Sequence, residues 1–549
     1  MSYRLFWRLL QIAFFVLIVS SSAFGQVAHG IKVKLQPETH LIEVVDKITL
    51  PPELLKSKQL HFTIHQGLEP EVLDKDIILR KTSGAEAGRF FTDNPSLQQS
   101  SMKMQLFEVN LPEGTEQFTL KYAGEIYHPV QEYGEEYARS FSVSPGIISP
   151  EGIFLSGSTI WYPHFVDELV TFDLDVELPA GWSSVSQGTR RKAETGTDSR
   201  RDVWVADTPQ EEIYLISSEF TEYSQAAGVV EAMAFLRNPD SQLAQKYLDT
   251  TAQYLEMYRK LLGPYPYSKF ALVENFWETG YGMPSFTLLG PRVIRFPFIL
   301  HSSYPHEILH NWWGNGVYTD YEKGNWAEGL TTYLADHLIK EQRGAAVEYR
   351  RSVLQKYTNY VTANKEKDFP LTQFRSRHSA VTEAVGYGKT MMLFHMVRQQ
   401  LGDQDFVKAL HRFYRKYKFK VASFDDVETV FNNVNDESLE PLFGQWVKRT
   451  GSPSLRVSQA VAKQKGDGYV LSANIEQTQE EEPYRLKLPI AVRMEGVANA
   501  YQTSVDIDAK HYKLELNFPM RPLQLDVDPE FDVFRTLDHN ESPPALSQI

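Results

Sequence analysis

The chain has 549 residues, with 70 acidic and 56 basic side chains and a formal net charge of −14. This acidic balance, without a basic cluster, argues against binding to nucleic acid or to an anionic membrane. The length predicts about three domains. The absence of cysteine rules out thiolate metal ligands and a cysteine nucleophile, so a metal site would have to use histidine and carboxylate ligands.

Residues 1–25 have the pattern of an export signal. Arg4 and Arg8 form a basic start, Leu9–Val19 is apolar apart from Gln11, and small residues precede a predicted cleavage after Gly25. The apolar run is short for a transmembrane span, so an uncleaved anchor is the less favoured alternative. We expect a secreted or periplasmic protein without stable membrane insertion after signal cleavage.

Residues 26–236 are predicted to form an N-terminal β domain. Apolar and polar residues alternate in stretches such as Ile31–Leu35, Phe118–Tyr122 and Phe172–Leu178, which is typical of strands with one buried face. No residue in this domain has a chemistry that its sequence context identifies.

Residues 237–450 are predicted to form a mainly helical catalytic domain. Its first helix follows Ser241, a candidate N-cap, and stops at Gly263-Pro264. Alternation returns in residues 451–535, which predicts a C-terminal β-sandwich, and residues 536–549 are expected to be a loose tail.

The motif H-E-x-x-H carries the chemistry of the catalytic domain. His306 and His310 lie four residues apart, so a helix points both imidazoles at one ion. Glu307 is rotated by about 100° and is placed to act on a water as general base and then acid. Zinc prefers about four ligands and keeps one position for water at catalytic sites.

Glu328 is the best candidate for the third protein ligand. It lies on a second helix predicted over about Trp326–Leu338, after a turn that contains the weaker candidates Asp320 and Glu322. The rival three-histidine pattern is absent, since Trp313 and Gly316 stand where its Gly and third His would be.

The run His306-Glu307-x-x-His310-Asn-Trp-Trp-Gly-Asn, followed by Trp-Ala-Glu328-Gly, resembles the gluzincin zinc metallopeptidases of the aminopeptidase N and leukotriene hydrolase family. The resemblance implies one Zn²⁺ per chain, held by His306, His310 and Glu328, with Glu307 as the catalytic carboxylate. It also implies a multidomain α+β fold: an N-terminal β saddle, a thermolysin-like mainly helical catalytic domain and a C-terminal β-sandwich. The spacing to the third ligand is one residue shorter than usual, which the connecting turn can absorb.

A second motif resembles the substrate-binding strand of that family, which reads Gly-x-Met-Glu-Asn. Here Gly280, Gly282 and Met283 are the candidate substrate-binding residues, and Pro284 stands where the family has the glutamate that grips the α-ammonium of the substrate. Proline offers neither charge nor N–H. Either Glu274 or Glu278 takes over this role, or the site does not require a free N-terminus.

A third motif is Gly386-Tyr387-Gly388-Lys389, which resembles the family's Tyr-Glu-Lys-Gly. The resemblance implies that the Tyr387 hydroxyl stabilises the oxyanion, and the flanking glycines are expected to leave the phenol exposed. Asp336 is a candidate partner for a ligand histidine.

Together these motifs predict a zinc metallopeptidase that cuts peptide or protein substrates and is aminopeptidase-like. Three alternatives remain open at this stage. One is a peptidase that does not need a free N-terminus, and another is a non-catalytic peptide-binding scaffold on the same fold. The third is a non-peptide hydrolase such as an epoxide opener, to which no residue of the sequence points.

Overall fold

The computed structural model describes residues 26–56, 60–82, 103–133, 141–166, 168–361, 367–434 and 438–541. The predicted export signal and residues 542–549 of the predicted tail lie outside this part of the chain. Across the described ranges, no helix combines the length and the apolar character needed to cross a membrane.

The described residues of the N-terminal region form sixteen strands arranged in several sheets. In chain order they are β1 (Val27–Gln36), β2 (Leu41–Thr49), β3 (Leu60–His65), β4 (Leu68–Val72), β5 (Ile78–Thr82), β6 (Met104–Asn110), β7 (Gln117–Glu125), β8 (Gln131–Tyr133), β9 (Phe141–Val143), β10 (Gly146–Ser149), β11 (Gly152–Leu155), β12 (Val170–Pro179), β13 (Ser183–Val185), β14 (Thr189–Thr195), β15 (Ser199–Gln210) and β16 (Leu215–Ser218). A helical turn, α1 (Pro52–Leu55), lies between β2 and β3.

The largest sheet of this region has the order β14-β15-β12-β1-β2-β7-β4. Its strands show the alternation that the sequence predicts: Ile31, Val33 and Leu35 of β1 are buried, whereas Lys32 and Lys34 between them are exposed. Period-two burial fits a sheet with one face on the core. A smaller sheet, β10-β11-β16-β13, turns towards the catalytic region.

A five-stranded sheet opens the catalytic region, with the order β17-β18-β19-β21-β20. Its strands are β17 (Thr221–Ala227), β18 (Val230–Leu236), β19 (Lys269–Glu274), β20 (Gly280–Met283) and β21 (Phe286–Leu289). The predicted domain boundary after residue 236 cuts through this sheet, and a division near residue 220 keeps it whole. Among the described strands, β20 is the last in this order, so one of its edges pairs with no other strand of this sheet.

Helices make up the rest of the catalytic region. They are α2 (Ser241–Leu262), α3 (Ser303–Leu309), α4 (Ala327–Thr332), α5 (Leu338–Gln342), α6 (Ala346–Tyr360), α7 (Ala380–Thr382), α8 (Thr390–Leu401), α9 (Asp403–Tyr417), α10 (Phe424–Asn432) and α11 (Glu440–Lys448). Two π-helical segments, Tyr333–His337 and Glu383–Lys389, join α4 to α5 and α7 to α8. A short parallel pair, β22 (Tyr318–Thr319) and β23 (Val421–Ala422), connects distant parts of the helical layer.

The N-cap of α2 lies one residue earlier than the sequence analysis predicted. The side chain of Asp240, and not that of Ser241, accepts the N–H of Leu243 at 2.9 Å. Both residue types cap well, so sequence preference could not separate two adjacent candidates. The predicted end of the helix at Gly263 agrees with the structure.

Two three-stranded sheets follow the last helix, β24-β25-β28 and β27-β26-β29. Their strands are β24 (Leu455–Lys465), β25 (Gly468–Gln477), β26 (Leu486–Met494), β27 (Tyr501–Ile507), β28 (His511–Phe518) and β29 (Pro522–Val527). The structure thus has the predicted mixed architecture, with a β-rich start, a helical centre and a sheet-built end. One continuous core runs from the five-stranded sheet through the helices into this last part.

The first residues of the predicted loose tail are packed, contrary to the expectation. Leu537 is 4% exposed, and its N–H bonds to the Thr358 hydroxyl at 3.0 Å. Glu541 makes a two-pronged ion pair with Arg535, both bonds being 2.8 Å long. The partners of Leu537 and Glu541 cannot be identified from a short polar sequence, so this segment was expected to be a tail.

Candidate metal centre and substrate cleft

Helix α3 carries the first part of the candidate site. Tyr304, Ile308 and Leu309 bury its inner face, while His306 and Glu307 lie within the helix and His310 follows directly as its C-cap. The N–H of His310 still bonds to the carbonyl of His306 at 3.1 Å, so the helical spacing extends to the second histidine. The two imidazole rings lie 4.8 Å apart.

Helix α4 brings the third carboxylate to the two histidines. The Nε2 atoms of His306 and His310 each lie 3.4 Å from Oε2 of Glu328. Within the described ranges, these three residues are the group of histidine and carboxylate side chains whose ligand atoms converge within 4.8 Å of one another. Asp320 instead pairs with Lys323 at 3.3 Å, and Glu322 is exposed on the turn.

The spacing of these donor atoms fits a tetrahedral zinc ion. With bonds of about 2.0–2.1 Å to nitrogen and oxygen, two ligands of a tetrahedron stand roughly 3.3–3.4 Å apart. Both nitrogen–oxygen distances here are 3.4 Å. Two imidazoles and one carboxylate leave a fourth position, which is the arrangement of catalytic rather than structural zinc sites.

The far nitrogens of both imidazoles have fixed partners. Nδ1 of His306 lies 2.8 Å from Oδ2 of Asp336, and Nδ1 of His310 lies 3.0 Å from the carbonyl oxygen of Trp313. Both partners are acceptors, so each Nδ1 carries the proton and each Nε2 is free to ligate a metal. Burial opposes a charge on His306, but the carboxylates of Asp336 and Glu328 outweigh it and raise its pKa.

Glu307 faces the same space as the two histidines. Burial raises the pKa of its carboxyl group; His306 and His310 oppose this, and Glu328 adds to it. A general base works best when its pKa lies near the operating pH, and the raised pKa of Glu307 moves it towards neutral pH.

Strand β20 passes directly over Glu307. A Cβ added to Gly282 would lie 2.5 Å from Oε2 of Glu307 and 3.2 Å from Cδ2 of His310. Asn315 donates to the carbonyl of Gly282 at 3.2 Å. Glycine is required here because the strand backbone approaches the Glu307 carboxylate more closely than a side chain at this position would allow.

Tyr387 reaches the site from the π-helical segment Glu383–Lys389. Its ring is parallel to that of His306 at a centroid distance of 6.3 Å. Burial and the charge of Glu328 raise the pKa of its phenol, while Arg377 opposes them. The hydroxyl therefore stays protonated and able to donate.

The glycines beside Tyr387 have a different role from the expected one. Gly386 and Gly388 are buried, and Tyr387 itself is half-buried rather than exposed. A Cβ on Gly386 would lie 2.2 Å from the Phe374 ring, and one on Gly388 would lie 3.0 Å from Val353. Both glycines allow close packing of the segment that presents the phenol.

Neither glutamate considered as a substitute for the missing family glutamate is free for that role. Glu274 is 2% exposed; it binds Arg295 at 2.7 Å and accepts the N–H of Arg237 at 2.9 Å. The Glu278 carboxylate accepts from Nε of the Arg292 guanidinium at 2.9 Å and from the backbone N–H of Arg292 at 3.0 Å.

Glu211 and Glu212, which the sequence analysis missed, lie near the site. Glu212 accepts the N–H of Gly157 and the hydroxyl of Tyr214 at 2.5 Å. Burial and the adjacent charge of Glu212 raise the pKa of Glu211 to about 8. No hydrogen bond to the Glu211 carboxylate is found within the residues that the structure describes.

Tyr321 lies within electrostatic range of both glutamates and of Glu328. Burial raises the pKa of its phenol, and the charges of Glu211, Glu328 and Glu212 raise it further. The only sequence signal was two adjacent carboxylates after a long strand, which alone is typical of a solvated loop.

Comparison with known proteins agrees with this geometry. Residues 301–446 match the Peptidase family M1 domain. Aminopeptidase 2, mitochondrial, of Saccharomyces cerevisiae is 22% identical over 304 residues, which cover 49% of this chain and 30% of that protein. Aminopeptidase M1-C of Oryza sativa subsp. japonica is 22% identical over 307 residues, which cover 52% of this chain and 35% of that protein.

The fold has a counterpart among solved structures. The crystal structure of Legionella pneumophila aminopeptidase A in complex with aspartic acid superposes with a TM-score of 0.65 at 14% identity, over 93% of this chain and 59% of that one. The match to the two curated relatives thus spans about a third of their length. Over residues 301–446, this chain is therefore similar to the Peptidase family M1 domain.

Proposed function

We propose that this protein hydrolyses peptide bonds with one zinc ion held by His306, His310 and Glu328. The observation that carries the proposal is the convergence of these three side chains at tetrahedral spacing, with Glu307 turned to the same space. The match of residues 301–446 to the M1 domain supports it independently.

The residues of the chain divide the reaction between them. A zinc ion bound at this site supplies Lewis acidity and lowers the pKa of water beside it. Glu307 accepts a proton from the attacking water and delivers it to the leaving amine. Tyr387 donates its hydroxyl to the oxygen on which negative charge develops.

We further propose that the enzyme acts at the amino end of its substrate, as the names of its relatives indicate for them. A buried ammonium needs a carboxylate partner, and Pro284 cannot provide one. Glu211 and Glu212 support the proposal because both lie within electrostatic range of Tyr321, as Glu328 does, and Glu211 lacks a cationic partner among the described residues. A substrate ammonium would supply that missing charge.

The second candidate is a peptidase that does not require a free N-terminus. The observation that favours it is Pro284, which removes the carboxylate from the position where the resembling family carries it. In that case the free edge of β20 would bind an extended peptide by main-chain hydrogen bonds alone.

One experiment separates these candidates. A fluorogenic peptide library is offered with free and with acetylated N-termini, and the Glu307→Gln protein is the blank. Cleavage of the free peptides alone supports amino-end recognition, whereas equal cleavage of both sets supports the second candidate. If zinc binds and neither set is cut above the blank, the peptidase proposal fails in favour of a peptide-binding scaffold.

Export is a separate proposal that rests on residues 1–25 of the sequence. Their basic start, apolar stretch and small residues are typical of a cleaved signal, and they support a secreted or periplasmic enzyme. Fractionation of cells that produce the full chain, with N-terminal sequencing of the product, tests both the location and the predicted cleavage after Gly25.

A further inference from the structure

Strands β20 and β21 are joined by an unusual two-residue turn, Pro284–Ser285. Such hairpins normally use turns with a positive φ at the first central residue. Proline fixes that φ near −65°, so the positive φ of +67° falls on Ser285 instead. This is the pattern of a type II turn, whose twist opposes that of the strands, at a residue type that disfavours the left-handed region.

The surroundings hold Ser285 at each of its polar groups. Its N–H donates to Oδ1 of Asn311 at 2.6 Å. Nζ of Lys269 donates to its hydroxyl at 2.9 Å and to its carbonyl at 3.2 Å, and the N–H of Ala271 reaches the same carbonyl at 3.1 Å. A disfavoured conformation persists only where such contacts determine it.

Lys269, which bonds to Ser285, is a buried lysine. It is 2% exposed, and its Nζ lies 5.2 Å and 5.4 Å from the ring centroids of Trp204 and Phe286. No carboxylate pairs with it among the described residues. Burial, assisted by the charge of Arg190, lowers its pKa well below the usual range. A buried lysine without a counter-charge is costly, and its bonds at Nζ go to Ser285.

Asn311 connects the turn to the metal centre. It follows His310 directly, and its Nδ2 donates to the carbonyl of Ile308 in α3 at 3.0 Å. Two residues before the turn, Gly282 lies against Glu307 and His310. The turn, the strand edge and α3 are therefore fixed to one another by short contacts.

We propose that Lys269 and Ser285 are positioning residues. Together with Asn311, they hold the unpaired edge of β20 at the distance from α3 at which an extended peptide can pair with the strand. This inference rests on the proposed peptidase function and adds to it the device that sets the substrate strand. Small displacements of a bound substrate change reaction rates strongly, so a loosened turn should weaken strand pairing first.

The test uses the full zinc-loaded protein and two substrates of different length, alanyl-aminomethylcoumarin and a quenched alanine-rich hexapeptide. The variants are Lys269→Met, which keeps the apolar stem, and Ser285→Gly, which suits the positive φ but lacks the hydroxyl. For the hexapeptide, kcat/KM should fall about tenfold or more, mainly through KM. For the one-residue substrate it should fall less than about threefold, because little strand pairing is involved.

Ser217→Ala is the matched control, since it removes another fully buried hydroxyl that bonds to a carbonyl at 2.8 Å, in the N-terminal region. A purely structural role would lower the activity towards both substrates equally or only reduce thermal stability, and that result would overturn the inference. Ser285→Gly keeps the test decisive if Lys269→Met does not fold.

Binding separates this inference from the proposed function. A fluorescein-labelled hexapeptide is titrated into Glu307→Gln protein with and without Lys269→Met or Ser285→Gly. The wild type could fail to hydrolyse peptides while Lys269→Met or Ser285→Gly, added to Glu307→Gln, weakens peptide binding about tenfold. In that case the peptidase proposal fails and the positioning role stands. Unchanged binding, or no binding of the peptide at all, overturns the positioning role.

Discussion

The candidate metal centre and the proposed substrate side of the site are built in different ways. His306, Glu307 and His310 come from one helix and Glu328 from the next helical segment, so local spacing already determines their arrangement. The proposed substrate side joins β20, the Pro284–Ser285 turn that follows it, and Glu211 with Glu212, from separate parts of the chain. The residues proposed for catalysis are therefore encoded locally, whereas those proposed for recognition depend on contacts between remote segments.

The packing of the two sides explains this contrast. Helix α3 is held by its own buried face, with Tyr304 and Ile308 at 0% exposure. Within the described part of the chain, strand β20 pairs with one strand, β21, and packs with it against the small sheet of the N-terminal region. Its position therefore depends on Lys269, Asn311 and that packing rather than on its own sequence.

The largest expected effect tests the catalytic side. Tyr387→Phe should lower kcat about 10²- to 10³-fold with little change in KM, because one oxyanion donor contributes about 2.7–4 kcal/mol to transition-state stabilisation. Tyr417→Phe is the control, since it removes a phenol elsewhere in the helical region, whose hydroxyl donates to the Asp426 carboxylate at 2.7 Å. Equal kcat values for the two variants would remove Tyr387 from the mechanism.

Gly282→Ala tests the contact between the two sides. The added methyl group would lie 2.5 Å from Oε2 of Glu307, so the carboxylate must move while the fold is kept. We expect kcat to fall about 10²-fold with zinc content unchanged. Gly280→Ala, whose new Cβ meets only Leu289 at 4.0 Å, should cost far less. Similar losses in both variants would mean that close approach to Glu307 is not the cause.

Asp336→Asn tests the outer support of the metal centre. The amide cannot hold the Nδ1 proton of His306 as the carboxylate does at 2.8 Å, and zinc affinity should fall about 10- to 100-fold. Competition with a chelator of known affinity measures the change. Glu348→Gln, on the exposed side of α6, serves as the control, and equal zinc affinity in both variants would contradict the assigned role.

The smallest expected effect concerns Glu211 and depends on pH. Its folded-state pKa of about 8 lies above the ordinary value of 4.5, so its neutral form stabilises the fold at low pH, and this contribution is lost as pH rises through about 8. Glu211→Gln keeps the neutral state and should raise the unfolding temperature about 1–2 °C at pH 9, with no change at pH 4.

The same substitution should act in the opposite direction on recognition. Loss of a charge-assisted contact should raise KM about tenfold for peptides with a free amine and leave acetylated peptides unaffected. Glu322→Gln, an exposed carboxylate nearby, is the control. Equal effects on both kinds of peptide would remove Glu211 from amine recognition.

The sequence predicts the architecture and the metal centre much better than the substrate side. The alternation in β1 and the helical spacing in α2 depend on neighbours along the chain, so both can be predicted from the sequence alone. The positive φ of Ser285, the burial of Lys269 and the proximity of Glu211 to Tyr321 depend on segments that are distant in sequence. The same reason explains why Leu537 and Glu541 were expected in a loose tail.

The most direct test of the account is one measurement on Glu307→Gln. The variant keeps all three proposed ligands, so metal analysis should find one zinc ion per chain, as in the wild type, while peptide hydrolysis falls about 10²- to 10⁴-fold. Hydrolysis at the wild-type rate, or a wild-type protein that does not bind zinc, would contradict the assignment of this centre as a zinc peptidase site.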